Sequence, residues 1–405
     1  MHSKFWQLPA WLCLCGPAWL CLCELTLHAQ APVYATGLPA QSDCELVPAA
    51  EAAQINHIVE LTWQQLRNRY PDQQLVKRGV HAKDHGCVKA EFRVKEDIPA
   101  DHRVGVFAEA GKTYDAWVRF SNAATLVLPD DLPSKNGQRV PGSRGMAIKL
   151  LGVSGDPLVP PHGAVTQDFL LVNHPVFAFA NVEDYEVLSS VLADPANKES
   201  PEKFFAIQMG KPGPAAVRAQ RTLEIVNKIR AADVASGAFQ PQPRSPVDCS
   251  YFSGAPFVFG KDAVMKYSAV PLEPSTEPPT NTTDADYLRA ALKQRLQAGA
   301  DSKPVIFEFR VQKRSKDSLN IETDIENSST DWPEAKYPFV TVATLTILPQ
   351  DFDAEAHRAI CESLFFTPWH GLKDFQPIGG INRLRKAVYE ASSGSRHHPK
   401  EPASY

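Results

Sequence analysis

From residue 87 onward the apolar residues of this chain change period, and that change constrains the fold more than any other feature. Alternating or β-rich runs appear at 87–94, 103–108, 114–121, 145–152 and 166–173, separated by Gly, Pro, Asp and Asn clusters. A helical interlude follows at about 182–233, and strand signals then return at 250–259, 263–271, 304–313 and 338–348. Helical spacing also marks residues 43–70, through Ile55, Ile58, Val59, Leu61, Trp63 and Leu66, and the stretches near 284–298, 353–364 and 379–391. Two blocks of about four strands split by helices predict an α+β chain. Its centre is one antiparallel barrel of about eight strands, with helical insertions and terminal helices. The 34 prolines favour this loop-rich arrangement over a helical bundle. No solenoid period, heptad or low-complexity tract interrupts it.

The bulk properties exclude more than they assign. With 405 residues, 43% hydrophobic, and a net charge of -4, the chain can bury a large core and carries no basic excess suited to nucleic acid. Its first 31 residues stand apart from the fold. Lys4 precedes the apolar run Phe5–Cys23, and Ala29-Gln-Ala31 supplies small residues two apart, the pattern of a secretory signal. A retained N-terminal membrane anchor is the alternative, weakened by Pro9, Pro17 and the missing basic stop. The expectation is an exported chain, periplasmic or secreted, with no membrane span after cleavage. Residues 43–391 form the functional domain and 392–405, rich in Ser, Gly, His and Pro, a disordered tail. Cys13, Cys15, Cys21 and Cys23 leave with the signal. Cys44, Cys87, Cys249 and Cys361 remain; they allow three pairings if all are oxidised, or buried free thiols.

Two short segments carry the chemistry. Arg78-Gly-Val-His81-Ala-Lys-Asp-His-Gly86 puts a histidine near an arginine and a lysine, just ahead of a strand. Arg385-Lys-Ala-Val-Tyr389 places an arginine one helical turn before a tyrosine, on the same face. Phenol ionises near pH ~10, and an adjacent guanidinium lowers that value. Phenolate is one of the few axial ligands of haem iron. His81 and His85 also have the HxxxH spacing of half a zinc site, but Gly86 and Val88 oppose the helix that site needs, and no glutamate follows His81.

Arg78-x-x-His81-Ala-Lys resembles the strand-entry motif of the haem catalases, in which the histidine is the distal catalytic residue. Trp117-Val-Arg-Phe-Ser121 is similar to their next pocket strand. By that resemblance Ser121 buttresses the histidine and Arg119 meets a haem propionate. Ser143-Arg-Gly-Met-Ala-Ile-Lys149, Gln167-Asp-Phe-Leu-Leu-Val-Asn173-His-Pro-Val-Phe177 and Arg385-x-x-x-Tyr389 resemble the remaining motifs, in family order from 78 to 389. The resemblance implies haem b, with Tyr389 binding iron and Arg78, Arg119 and Arg385 holding the cofactor. It implies His81 and Ser121 as the distal pair, and an asparagine that polarises peroxide.

Departures from the pattern accompany the matches. Counting back from Pro175 puts Val172 where the catalytic asparagine belongs and Asn173 one place later. Either a one-residue shift lets Asn173 serve, the reading adopted, or the amide is lost. Asp84 replaces a motif glycine, and sixteen residues follow Tyr389 where catalases continue into a helical domain, so a short form without a nucleotide site is expected. Phe177, Phe179 and Tyr185 either line the distal channel or belong to the core.

The expected activity is a haem-dependent peroxidase or catalase acting on hydrogen peroxide or organic hydroperoxides. Its partners are then a peroxide and a small organic reductant, with oligomerisation left open. The alternatives are a lipid-hydroperoxide rearrangement like that of the allene oxide synthase relatives, a haem-binding protein without turnover, and a metal hydrolase at His81 and His85.

Overall fold

In the computed structural model the period-two runs close into a barrel. The structure describes residues 42–69, 78–124, 127–133, 139–161, 163–197, 202–230, 245–275, 277, 279–299 and 302–394. In chain order the elements are α1 (Glu51–Arg69), β1 (Asp84–Val94), β2 (Thr113–Asn122), β3 (Asp131–Pro133), β4 (Arg139–Pro141), β5 (Arg144–Leu150) and β6 (Gln167–Val172). Then come α2 (Val182–Ala193), α3 (Glu202–Met209), α4 (Pro214–Arg230), β7 (Tyr251–Phe252), β8 (Phe257–Phe259), β9 (Ala263–Pro271) and α5 (Tyr287–Leu296). The last are β10 (Val305–Ser315), α6 (Ile321–Asp324), β11 (Phe339–Ile347), α7 (Glu355–Ser363) and α8 (Gly380–Gly394).

Strands β1, β2, β5, β6, β7, β9, β10 and β11 pair in that order, β11 returns to β1, and every pairing is antiparallel. The result is the eight-stranded α+β barrel that the periodicity predicts. Closure removes the free edges that an open sheet would expose. β8 lies beside β7 on β9, and β3 with β4 forms a small separate hairpin.

The barrel interior is full. Phe92, Phe169, Tyr267 and Phe309 point inward, with ring centroids 4.7 Å apart for Phe169 and Phe309 and 5.2 Å for Phe92 and Phe309. Such edge-on and tilted contacts pack the centre without a cavity for a ligand. The helices pack on the outside of this filled barrel.

Two expected elements differ. Residues 103–108 form a single 3-10 turn, Gly105–Phe107, and not a strand. Gly105 has φ 54°, which breaks the extension, and Phe107 drops into the aromatic core. The run 250–259 divides into β7 and β8. At the C-terminus α8 continues to Gly394, three residues into the stretch expected to be a tail. The reason is a contact: the Ser392 hydroxyl accepts a hydrogen bond from the Gly79 amide at 2.8 Å. The expected signal at 1–31 and residues 395–405 lie outside the described residues. Among the described residues no helix is long and apolar enough to cross a membrane.

Of the four cysteines considered, Cys87 and Cys361 form a disulfide that joins β1 to α7 across 274 residues, while Cys44 and Cys249 are buried free thiols. Helix α1 buries Ile55, Ile58, Val59 and Leu66, as its spacing predicts, the first three in one cluster with Ile381, Leu384 and Val388 of α8. This packing seats α8 over the barrel wall.

Candidate functional site

The site begins with strand alternation. On β2, Val118 and Phe120 face the barrel core, so Trp117, Arg119 and Ser121 face outward. Register places Cys87 opposite Arg119, Arg119 opposite Ala147, Ser121 opposite Gly145 and Ala147 opposite Leu170. The outer wall here is therefore low at Gly145 and Ala147, between larger neighbours. Tyr389 of α8 and Ala147 pack against one cluster on this wall, formed by Cys87, Trp117, Leu170, Cys361, Leu364 and Phe366 among others.

His81 enters the same wall from the segment ahead of β1. Its φ of 53° is left-handed, an uncommon conformation for a side chain of this kind. That turn lays the ring over the wall, with Nδ1 3.0 Å from the Ser121 hydroxyl oxygen. Gly145 makes the approach feasible: a Cβ there would lie 2.3 Å from His81 Nδ1 and 2.9 Å from Ser121 Oγ. His81 and Ser121 are thus paired as the sequence predicts, and Gly145 is the residue whose role the motif alone did not reveal.

Three guanidiniums surround the histidine. Burial pushes the His81 imidazole down to about 3, and Arg119, Arg385 and Arg78 add to the effect in that order. Arg119 Nη1 donates to the His81 carbonyl at 3.0 Å, while its buried Nη2 has no partner among the described residues. Arg78 donates from Nη2 to the carbonyls of Cys361 at 3.1 Å and Glu362 at 3.4 Å. Arg385 Cζ lies 5.6 Å from the Tyr389 ring centroid. The carboxylate of Asp84 lies 4.0 Å from Arg119 Nε and also 3.2 Å from Arg289 Nη1. All three guanidiniums act on the histidine in the same direction, against its protonation.

That shift has a measurable consequence. Folded His81 binds a proton far less readily than the unfolded residue, so its contribution to stability is intact above about pH 6.5 and is lost progressively toward about pH 3. The slope is ~1.4 kcal/mol per pH unit for one such group, and His174, pushed down to about 4 by burial, adds to it. Urea titrations of the apoprotein between pH 7 and 4.5 should show this loss, shallower by about one proton in His81→Gln. An identical slope in the variant would refute the assignment.

Asn173 is held against the start of β5. Its carboxamide oxygen accepts from the Arg144 amide at 2.8 Å and the Ser143 hydroxyl at 3.1 Å, at the entrance to Gly145. The carboxamide nitrogen is then the group left to meet a ligand. His85 goes elsewhere. Its Nε2 lies 2.9 Å from Asn122 Oδ1 within a buried network containing Arg144, Asp130, Asp131 and Lys83. Burial holds this ring well below the usual histidine range. Since Ser121 and Asn122 point to opposite sides of β2, His81 and His85 do not converge. Among the described residues no three His, Cys, Asp or Glu side chains cluster as metal ligands, which leaves the zinc reading unsupported.

Phe177, Phe179 and Tyr185 form a ring cluster with centroids 5.6 to 6.0 Å apart. The Tyr185 phenol is pushed up to about 12, chiefly by burial and secondly by Tyr389. Two further residues escaped notice in the sequence. Asn382 bonds Arg385 and Arg383 holds three carboxylates; the first could have been found from its i−3 spacing.

The chemistry of these residues suits a dianionic macrocycle: a buried Arg119 nitrogen lacks a hydrogen-bond partner among the described residues, Arg385 and Arg78 also bring positive charge to the wall, and Tyr389 of α8 packs against it.

The fold itself has known counterparts. A fungal catalase aligns with a TM-score of 0.58 at 15% identity, covering 82% of this chain and 61% of that one. A bacterial catalase aligns at 0.57 with 16% identity, over 96% of this chain and 67% of its own. Catalase A from Saccharomyces cerevisiae gives 0.57 at 14% identity, over 82% and 63%. No protein-family model matches the chain, and no curated protein matches it by sequence. The architecture is therefore catalase-like. The chain spans 61% to 67% of the length of these three catalases.

Proposed function

We propose that this protein binds haem b and uses it to reduce peroxides, acting as a peroxidase with a small organic reductant. The observation that carries the proposal is the grouping of the His81–Ser121 pair with three arginines, on a wall that Tyr389 also packs against. Tyr389 would hold the iron, and Arg78, Arg119 and Arg385 would meet the propionates or steady the phenolate. Haem supplies an iron centre that binds peroxide and takes up its oxidising equivalents.

The side chains account for the proton movements. With Nδ1–H donating to Ser121 Oγ, the His81 Nε2 carries a free lone pair. That nitrogen can take the proton of a peroxide and return it to the leaving oxygen. Neutral imidazole is the form needed, and the surrounding arginines favour it. Asn173 is oriented through its oxygen by Ser143 and Arg144, so its NH2 group is the donor for the peroxide. Ser121 fixes the tautomer and does not itself exchange a proton with substrate. Export to an oxidising compartment belongs to the same proposal, and the Cys87–Cys361 disulfide supports it.

Reconstitution with hemin tests the proposal directly. A Soret band with the high-spin ferric signature of tyrosinate ligation is expected for the wild type, and its absence would defeat the haem assignment. His81→Ala should keep the band and lose peroxide turnover by about 10²–10⁴-fold, the usual contribution of a positioned acid–base group. Tyr389→Phe should lose the tyrosinate signature. Equal haem loss in both variants would instead indicate a haem carrier, and oxygen release without donor oxidation would indicate a catalase.

A further inference from the structure

The first turn of α8 contains a fully buried asparagine whose hydrogen bonds are all directed. Asn382 Nδ2 donates to the carbonyls of Pro256 at 2.8 Å and Ile378 at 3.1 Å. Its main-chain carbonyl accepts from the Trp369 indole at 2.9 Å. With two carbonyls facing the nitrogen, the carboxamide cannot be reversed without setting oxygen against oxygen. Oδ1 must then point the other way, where it accepts from Arg385 Nη1 at 3.1 Å.

The Arg385 guanidinium is the group lying 5.6 Å from the Tyr389 ring. Among the described residues it forms no ion pair. A neutral amide therefore fixes its direction while leaving its charge whole. A carboxylate in the same place would hold it as firmly but offset that charge.

We infer that Asn382 is a positioning residue for the proximal side of the site: it aims an uncompensated Arg385 at Tyr389. This rests on the haem reading only for its consequence, since the Asn382–Arg385 contact exists in the apoprotein. Among the described residues Asn382 forms no hydrogen bond to Tyr389, His81 or Ser121; its influence passes through Arg385.

The test uses the full apoprotein with isotope-labelled arginine, read by NMR of the Arg385 side-chain nitrogens. In the wild type, rotation of the Arg385 Nη groups should be slow, as expected for a guanidinium held by a buried acceptor. Averaged wild-type signals would overturn the inference before any variant is made. Asn382→Ala removes the acceptor and should average the signals. Asn382→Asp keeps an acceptor oxygen but loses the donors to Pro256 and Ile378, so it should destabilise the fold while preserving slow rotation. Averaging in both variants, or in neither, overturns the inference, because a purely structural asparagine would affect Arg385 alike in both.

Hemin titration adds a second readout. Asn382→Ala should weaken hemin binding by about tenfold, the scale of one hydrogen bond to a charged group. That change should vanish in an Arg385→Leu background. An equal loss in that background would show that Asn382 acts otherwise than through Arg385. Failure of the wild type to bind hemin would count against the haem proposal and leave the NMR result to decide this one.

Discussion

Gly145→Ala is expected to lower peroxide turnover by about 10²–10⁴-fold while leaving the barrel folded. Alanine is compatible with this strand position, since Gly145 does not occupy the left-handed region. What the added methyl meets is the His81–Ser121 pair. It would stand 2.3 Å from His81 Nδ1, 2.5 Å from His81 Cε1 and 2.9 Å from Ser121 Oγ. Real carbon atoms do not approach so closely, so the imidazole must leave the wall. Its 3.0 Å contact with Ser121 breaks, and the tautomer is no longer held. The backbone at His81 is already in an unusual conformation, with φ 53°, and has little freedom to follow the ring. Turnover of the reconstituted variant, with its melting curve and Soret band as controls, measures the effect. Activity within twofold of wild type would show that His81 does not act from the position described.

The second large effect concerns the seating of α8. Arg383 is wholly buried and bonds Glu45 at 2.5 Å, Glu51 at 2.5 and 2.8 Å, and Glu326 at 2.8 and 3.2 Å. Glu45 and Glu326 also accept from the Gly379 and Gly380 amides at the start of the helix, 2.8 and 2.9 Å away. Arg383→Leu would take from three carboxylates the cation they share. Breaking a buried pair on one side costs about 3–5 kcal/mol, and with three partners the upper part of that range is expected.

The loss should depend on pH in a defined direction. Burial already raises the Glu45 carboxyl, and removing Arg383 raises it further, so the folded variant holds protons more tightly than the unfolded chain. Its stability is then better near pH 5 and falls as pH rises toward 7.5. Urea unfolding at both values checks this, and adding Glu45→Gln should restore part of the loss. A variant as stable as wild type at pH 7.5 would mean that the cluster is screened by water and contributes little.

Much of this was legible in the chain, for reasons particular to each segment. The period-two runs of β1, β2, β5 and β6 alternate between core and wall, and alternation is a local property that any reader of the chain can follow. Arg385 and Tyr389 share a helix face by spacing alone. Residues 103–108 misled because alternation of Val104 and Val106 says nothing about Gly105, whose φ of 54° turns the segment into a plug for the barrel. Asn173 was legible as an amide near the site, but not the Ser143 and Arg144 contacts that engage its oxygen. Arg383 had no signal at all, since its partners lie 57, 332 and 338 residues away.

By itself the sequence determined most of the elements and the eight-stranded α+β architecture, and it named the residues of the proposed site. These depend on hydrophobic period and on spacing within one strand or one helical turn. Tertiary structure alone decided which cysteines pair, that His85 departs from His81 into a separate buried network, that Gly145 clears the space for the imidazole, and that Asn382 directs Arg385. Each of those is a contact between segments far apart in the chain, or a matter of tenths of an ångström between neighbouring strands. Packing settles such contacts only once the barrel has closed and α8 is seated on its wall.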